Sequence, residues 1–239
     1  MQNIKFRYIF HLYGPKALTV LLLMVLPQVV SAQRNYLEYV NKKIYFGITL
    51  GYNTSNFKLV QNSTFIDNDS VLTINSTHGP GFNLGIVSNL QMGKYFDLRF
   101  IPSLCFADKN LQYKMASGKT VEKSIESIIL EFPLEVRFKS QPIKDMRLYV
   151  LVGMKYNLDL ASNAKARRAE DQVKIVANDF AYEYGAGIQF FFPLFIFSPE
   201  IKFSNGLLNL HSRDEDFIYS NVLDKLLSRS ILISLHFEG

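Results

Sequence analysis

The stretch Ile44–Asn53, IYFGITLGYN, changes character at every step: Ile44, Phe46, Ile48, Leu50 and Tyr52 alternate with Tyr45, Gly47, Thr49, Gly51 and Asn53. Successive side chains of an extended strand point to opposite faces, so this segment has one greasy face and one small or polar face. Working outward, the same period of two returns in Phe82–Leu90, Tyr95–Phe106, Ile128–Phe138, Leu148–Leu160 and Phe180–Phe190, with the apolar set on even numbers. In Phe197–Phe203 and Ile231–Phe237 the apolar set falls on odd numbers. The chain thus predicts eight strands, each near the roughly 9 to 11 residues that cross a bilayer at a tilt.

Alternation alone fits any half-buried sheet, and the connections decide between the options. Thr54–Gly79, Ala107–Ser124, Ala161–Asn178 and Asn205–Leu226 read as long loops, whereas the turns around Gly93, Pro142 and Pro193 are short. Long and short alternate strictly. An up-and-down meander with an even strand count puts all long loops at one end, and all short turns with both termini at the other. The expected fold is therefore all-β: an eight-stranded antiparallel up-and-down transmembrane β-barrel of the outer membrane, with its termini in the periplasm.

Charge assigns the faces. No Asp, Glu, Lys or Arg falls on the greasy set within these strands, while the opposite set carries Asp97, Arg99, Glu131, Glu135, Arg137, Arg147, Lys155, Asp159, Glu183, Glu200 and Lys202. A soluble barrel reverses this arrangement, with charge in water and apolar side chains in the core. Phe96, Phe138, Phe190, Phe197 and Phe237 fall at the short-turn end of the greasy face, as an interfacial aromatic girdle does. The interior of an eight-stranded barrel is just wide enough for side chains to fill it. Asp97, Arg99, Glu131, Glu135, Arg137, Lys155, Glu183, Glu200 and Lys202 are accordingly expected to pair into a lumen salt-bridge network, with Glu131, Glu135, Arg137, Glu200 and Lys202 at its centre, rather than to line a solute channel.

Residues 1–32 read as a secretory signal. Lys5, Arg7 and Lys16 form a positive region, Ala17–Leu26 is a ten-residue apolar run interrupted only by Thr19, Pro27 breaks it, and Val30, Ser31 and Ala32 form a small-residue cleavage site. Ten residues are too few for a membrane-spanning helix, which needs about 20. Residues 33–239 are then the barrel domain. The formal net charge of +5 is largely the signal's own: without its three cations, 23 Lys and Arg face 21 Asp and Glu, which removes the case for a nucleic-acid partner. The lone cysteine, Cys105, excludes a disulfide scaffold.

Catalytic signals are weak. Among the four histidines, His11 lies in the signal, His78 and His211 read as outer-loop residues, and His236 stands on the inward face beside Ser234. A Ser/His/acid arrangement needs its members within hydrogen-bond reach, and an inward histidine near a lumen glutamate is more often a satisfied structural residue. The acidic run Ser212–Asp216 lacks the alternating ligands of a calcium loop. Lys165, Arg167, Arg168 and Lys174 give one outer loop a positive tip, open to lipopolysaccharide or a partner. No catalytic residue, metal site, cofactor or small-molecule substrate is expected.

The segments LEFPLEVRFK (Leu130–Lys139), YVLVGMKYNLDLASNAKAR (Tyr149–Arg167), DFAYEYGAGIQFFFPLFIFSPEIKFSNGLLNL (Asp179–Leu210) and SRSILISLHFEG (Ser228–Gly239) resemble the PorT family of outer-membrane barrels from Bacteroidetes. The resemblance covers nearly all of the chain after residue 32 and is most specific in its second half. It implies a non-enzymatic component required by the type IX secretion system, which moves cargo with a C-terminal signal from periplasm to cell surface, including surface proteases and gliding adhesins. The implied partners are other type IX components in the outer membrane or periplasm, together with outer-membrane lipid. An outer-membrane lipid-modifying barrel enzyme and a surface adhesin remain as alternatives.

Overall fold

The computed structural model describes Tyr39 and residues 42–61, 71–115, 118, 120–161, 176–211 and 223–239. The chain divides into Met1–Arg34, which lies outside the described residues along with the expected signal, and Asn35–Gly239.

Nine segments form one antiparallel sheet: β1 (Ile44–Gln61), β2 (Val71–Gln91), β3 (Phe96–Phe100), β4 (Ser103–Met115), β5 (Thr120–Lys139), β6 (Met146–Asp159), β7 (Asn178–Phe191), β8 (Ile196–Gly206) and β9 (Leu223–Glu238). β1 pairs with both β2 and β9, so the sheet closes on itself and has no free edge along the paired region. Closure leaves no solvent-facing edge, which is what a sheet needs to stand in hydrocarbon.

β3 and β4 share one position in the ring. Ser88 pairs with Phe100 and Gly85 with Ser103, so the register runs unbroken across the gap, and the expected third strand is interrupted in place. The cause is Pro102, which has no N–H to offer the ladder. Its carbonyl still accepts from Ile86 N–H at 3.0 Å, and Ile101 N–H donates to the Pro133 carbonyl at 3.3 Å. The result is an eight-stranded barrel built from nine segments.

Two of the four connections read as long loops are a correction, while residues 162–175 and 212–222 of the other two lie outside the described residues. β1, β2 and β5 run for 18, 21 and 20 residues, about twice what a bilayer requires, so much of Thr54–Gly79 and most of Ala107–Ser124 is ladder rather than loop. β6, β7 and β8, at 14, 14 and 11 residues, are shorter, and the wall is taller on the β1–β2–β4–β5 side. His78, expected in a loop, stands on β2.

The wall is apolar outward. Ile48, Ile86, Leu134, Val152 and Ile233 are each more than half exposed, and their sequence neighbours are buried or half-buried. Two aromatic girdles bound it. At the short-turn end Phe96 packs on Phe138 at 5.3 Å, and Phe197 bridges Phe190 and Phe237 at 6.4 and 5.3 Å. A second belt at the other end, not anticipated from the sequence, includes Phe82 on Phe106 at 4.5 Å and Tyr156 on Phe180 at 5.0 Å. Aromatic rings take this place at both interfaces because each joins an apolar body to a polarisable or hydroxyl-bearing edge.

Candidate functional site

Register brings the lumen charges together. Asp97 lies directly across from Arg137, and Arg99 from Glu135, on β3 and β5. Glu135 and Glu183 flank Gly153 on either side, and Glu200 lies across from Gly187. The last position is tight. A Cβ on Gly187 would collide with the phenol of Tyr149, so only glycine lets that ring lie flat across the inner wall.

The expected single centre is in fact two clusters. Toward the long-loop end, Lys155 Nζ bridges Glu131 Oε1 at 2.8 Å and Glu183 Oε1 at 3.0 Å, and Lys202 Nζ meets Glu135 Oε1 at 2.6 Å. Asn83 Nδ2 donates to the other oxygen of Glu131 at 2.8 Å. Toward the short turns, Arg99 bonds Glu200 at 2.9 Å and also Glu238, while Arg137 bonds Asp97 at 2.9 Å and Lys139 also pairs with Asp97. Tyr149 Oη donates to Glu200 Oε2 at 2.7 Å, and its ring lies under the Arg99 and Arg137 guanidinium groups at 5.8 and 5.0 Å. Two longer contacts join the halves to one another and across the lower half: Lys202 to Glu200 at 3.7 Å, and Arg137 to Glu238 at 4.0 Å.

All nine residues read as the lumen network are buried. Sequence reading missed Lys139, Glu238, Tyr45 and Tyr149. Lys139 and Glu238 keep the inward phase but sit one residue past Phe138 and Phe237, where the alternation was taken to end. Tyr45 and Tyr149 also had the inward phase, and Tyr45 accepts from Arg137 Nη2 at 2.9 Å. Of the two further charges on that face, Arg147 is buried over the Phe191 ring at 5.3 Å, and Asp159 is half-buried at the outer end of β6.

Ser234 and His236 are both buried, and His236 Nε2 lies 3.3 Å from Glu200 Oε1. The cavity beside them measures about 10 Å³, and a second, beneath the long-loop end between Lys109 and Asp179, about 40 Å³. These volumes hold roughly one and three waters at about 10 to 15 Å³ each, far too little for a lipid or a nutrient. Both mouths are obstructed. Tyr39, Tyr45, Phe191 and Ile196 form an apolar cluster at the short-turn end, and Phe57, Ile74, Leu111, Leu210 and Leu226 are buried in the outer half. His211 is buried there as well, not exposed on a loop. The basic segment with Lys165, Arg167, Arg168 and Lys174, and the acidic run Ser212–Asp216, lie outside the described residues.

The sequence matches the family described as "Outer membrane protein beta-barrel domain" over residues 31–212. A search of curated proteins gives no match. Among solved structures, the chain is similar to Neisserial surface protein A, at 7% identity over 82% of this chain and 97% of that one, with a TM-score of 0.43. OprG of Pseudomonas aeruginosa aligns at 10% identity over 82% and 94%, with a TM-score of 0.44. Ail of Yersinia pestis aligns at 13% identity over 83% and 100%, with a TM-score of 0.37. A closed antiparallel sheet with a greasy exterior, paired aromatic girdles and a charged, filled interior is thus joined to a family match over most of its length, and the chain belongs to the outer membrane protein beta-barrel family and is a protein of the outer membrane.

Proposed function

We propose that this barrel is a non-enzymatic accessory of the type IX secretion system, acting by holding partners at the outer membrane rather than by conducting or modifying a solute. The observation that carries the non-conducting half is the filled lumen: the nine charges of its network are each paired, and the two cavities beside them are water-sized. Support for the secretion half is the resemblance of KYNLDLASNAK (Lys155–Lys165), PEIKFSNGLLNL (Pro199–Leu210) and LHFEG (Leu235–Gly239) to PorT, also called SprT. In a plugged barrel the surfaces left for partners are the loops, the turns and the lipid-facing wall. The short turns and both termini face the periplasm in this reading, and the taller β1–β2–β4–β5 wall faces outward.

The test is deletion of the gene in its own host. Type IX cargo should accumulate in the periplasm with its sorting domain uncleaved, while lipid A and general permeability stay unchanged. His236→Asn should retain export. Normal export in the deletion strain would remove the secretion assignment, and altered lipid A with export intact would favour a lipid-modifying enzyme built on Ser234, His236 and Glu200. Orientation is read separately, by cysteine labelling of intact cells at Thr120→Cys, expected to react, and Ile143→Cys, expected to be protected. Native Cys105 is buried and silent in this assay.

A further inference from the structure

The wall between β7 and β8 has one flaw. Gly187 pairs with Glu200 and Phe190 with Phe197, but Ile188 and Gln189 have no partners on β8. Phe191 N–H donates to the Asp145 carbonyl, so odd residues of β7 present their backbone groups to β6 and even residues present theirs to β8. The Ile188 carbonyl therefore faces β8 opposite Pro199, which has no N–H, and is left without its ladder donor. In hydrocarbon, where no water can take its place, an unpaired carbonyl is strongly unfavourable.

The flaw opens onto a groove. About 690 Å³ of space lies on the outer wall there, over the small residues Ala186 and Gly187 and between Leu148, Val150, Ile201 and Ile233. Those four flanking side chains are about half exposed and wholly apolar, so the groove suits a hydrocarbon chain. Its depth is defined by the neighbouring rung, where Phe190 and Phe197 form part of the short-turn girdle. Ile188 thus sits at the boundary between headgroup and acyl chain. Just inside the same seam, Gln189 and Ser198 are almost fully buried, and their side-chain polar atoms have no hydrogen-bond partner.

We propose that the β7–β8 seam seats one phospholipid of the leaflet at the short-turn end, with an acyl chain in the Ala186 groove and a headgroup donor on the Ile188 carbonyl. The occupant is a lipid because the groove opens into the band between the two girdles, where hydrocarbon is the solvent. It carries a headgroup N–H because the unpaired wall group is an acceptor. That it is a phospholipid rests on the orientation proposed above, which places this end at the periplasmic leaflet.

The test is native mass spectrometry of the full, delipidated barrel titrated with phosphatidylethanolamine, which has headgroup N–H donors, and with phosphatidylcholine, which has none. One phosphatidylethanolamine should bind about tenfold tighter than phosphatidylcholine, the effect of roughly one hydrogen bond. Ala186→Phe should fill the groove and weaken both at least tenfold, whereas Ile86→Phe on the opposite wall should change neither. Pro199→Ala returns an N–H to the rung and should erase the preference between the lipids. A heat-modifiable gel band for each variant shows that it is folded. Equal binding of the two lipids to the unaltered barrel, or binding that survives Ala186→Phe, overturns the proposal. Reversed cysteine labelling with the lipid preference intact would overturn the orientation and the leaflet assignment, not the seat.

Discussion

Glu200→Ala tests the lumen where its bonds converge. Glu200 accepts from Arg99 at 2.9 Å and from Tyr149 at 2.7 Å, and lies 3.3 Å from His236 and 3.7 Å from Lys202. Removing one partner of a buried ion pair costs about 3 to 5 kcal/mol, because the other charge is left desolvated and uncompensated. Both cations here keep a second carboxylate, Glu238 for Arg99 and Glu135 for Lys202, while the Tyr149 hydroxyl loses its acceptor. The expected loss is therefore at the lower end, about 3 kcal/mol, or somewhat more than a hundredfold in the folding constant. The assay is urea unfolding of the barrel in lipid vesicles, followed by the shift between folded and unfolded bands on a gel. Glu200→Gln keeps an oxygen for the Arg99 and Tyr149 donors and should cost less than Glu200→Ala. A loss below about 1 kcal/mol for Glu200→Ala, or a Glu200→Gln variant less stable than Glu200→Ala, would refute the paired-plug argument.

Gly187→Ala forces the Tyr149 phenol off the wall and should destabilise the barrel by about 1 to 3 kcal/mol, the usual cost of overpacking, in the same urea assay. The folded barrel should migrate differently from boiled protein on a denaturing gel; identical migration would count against a closed sheet. Planar-bilayer recordings of the purified barrel should show no large stable pores, since the two lumen cavities among the described residues hold only about three waters and one. Gly93 holds a φ of 127° in the short turn between β2 and β3, so Gly93→Val should slow refolding or lower stability by about 1 to 3 kcal/mol through backbone strain alone.

Much of this molecule was legible in the chain because the signals are local. Whether Phe46 or Gly47 faces lipid depends only on the two-residue repeat of an extended backbone, and a side chain carries that information in its own number. The strand count, the greasy exterior, the short-turn girdle and the inward phase of Asp97, Arg99, Glu131 and Glu200 all follow from that repeat and from the order of turns. Strand ends were misjudged because alternation weakens outside the membrane, where both faces of a strand meet polar surroundings. Thr54–Gln61, Ala107–Met115 and Thr120–Ser127 look like loop by composition yet stay in the ladder through their neighbours' backbone bonds. What only the tertiary structure decided is which charge meets which. Arg99 and Glu200 stand 101 positions apart, and Lys202 and Glu135 stand 67 apart, on strands that are not neighbours in the ring. Their meeting is set by the stagger with which the sheet closes and by the narrow bore of eight strands, quantities that belong to the ring as a whole and are written in no single segment.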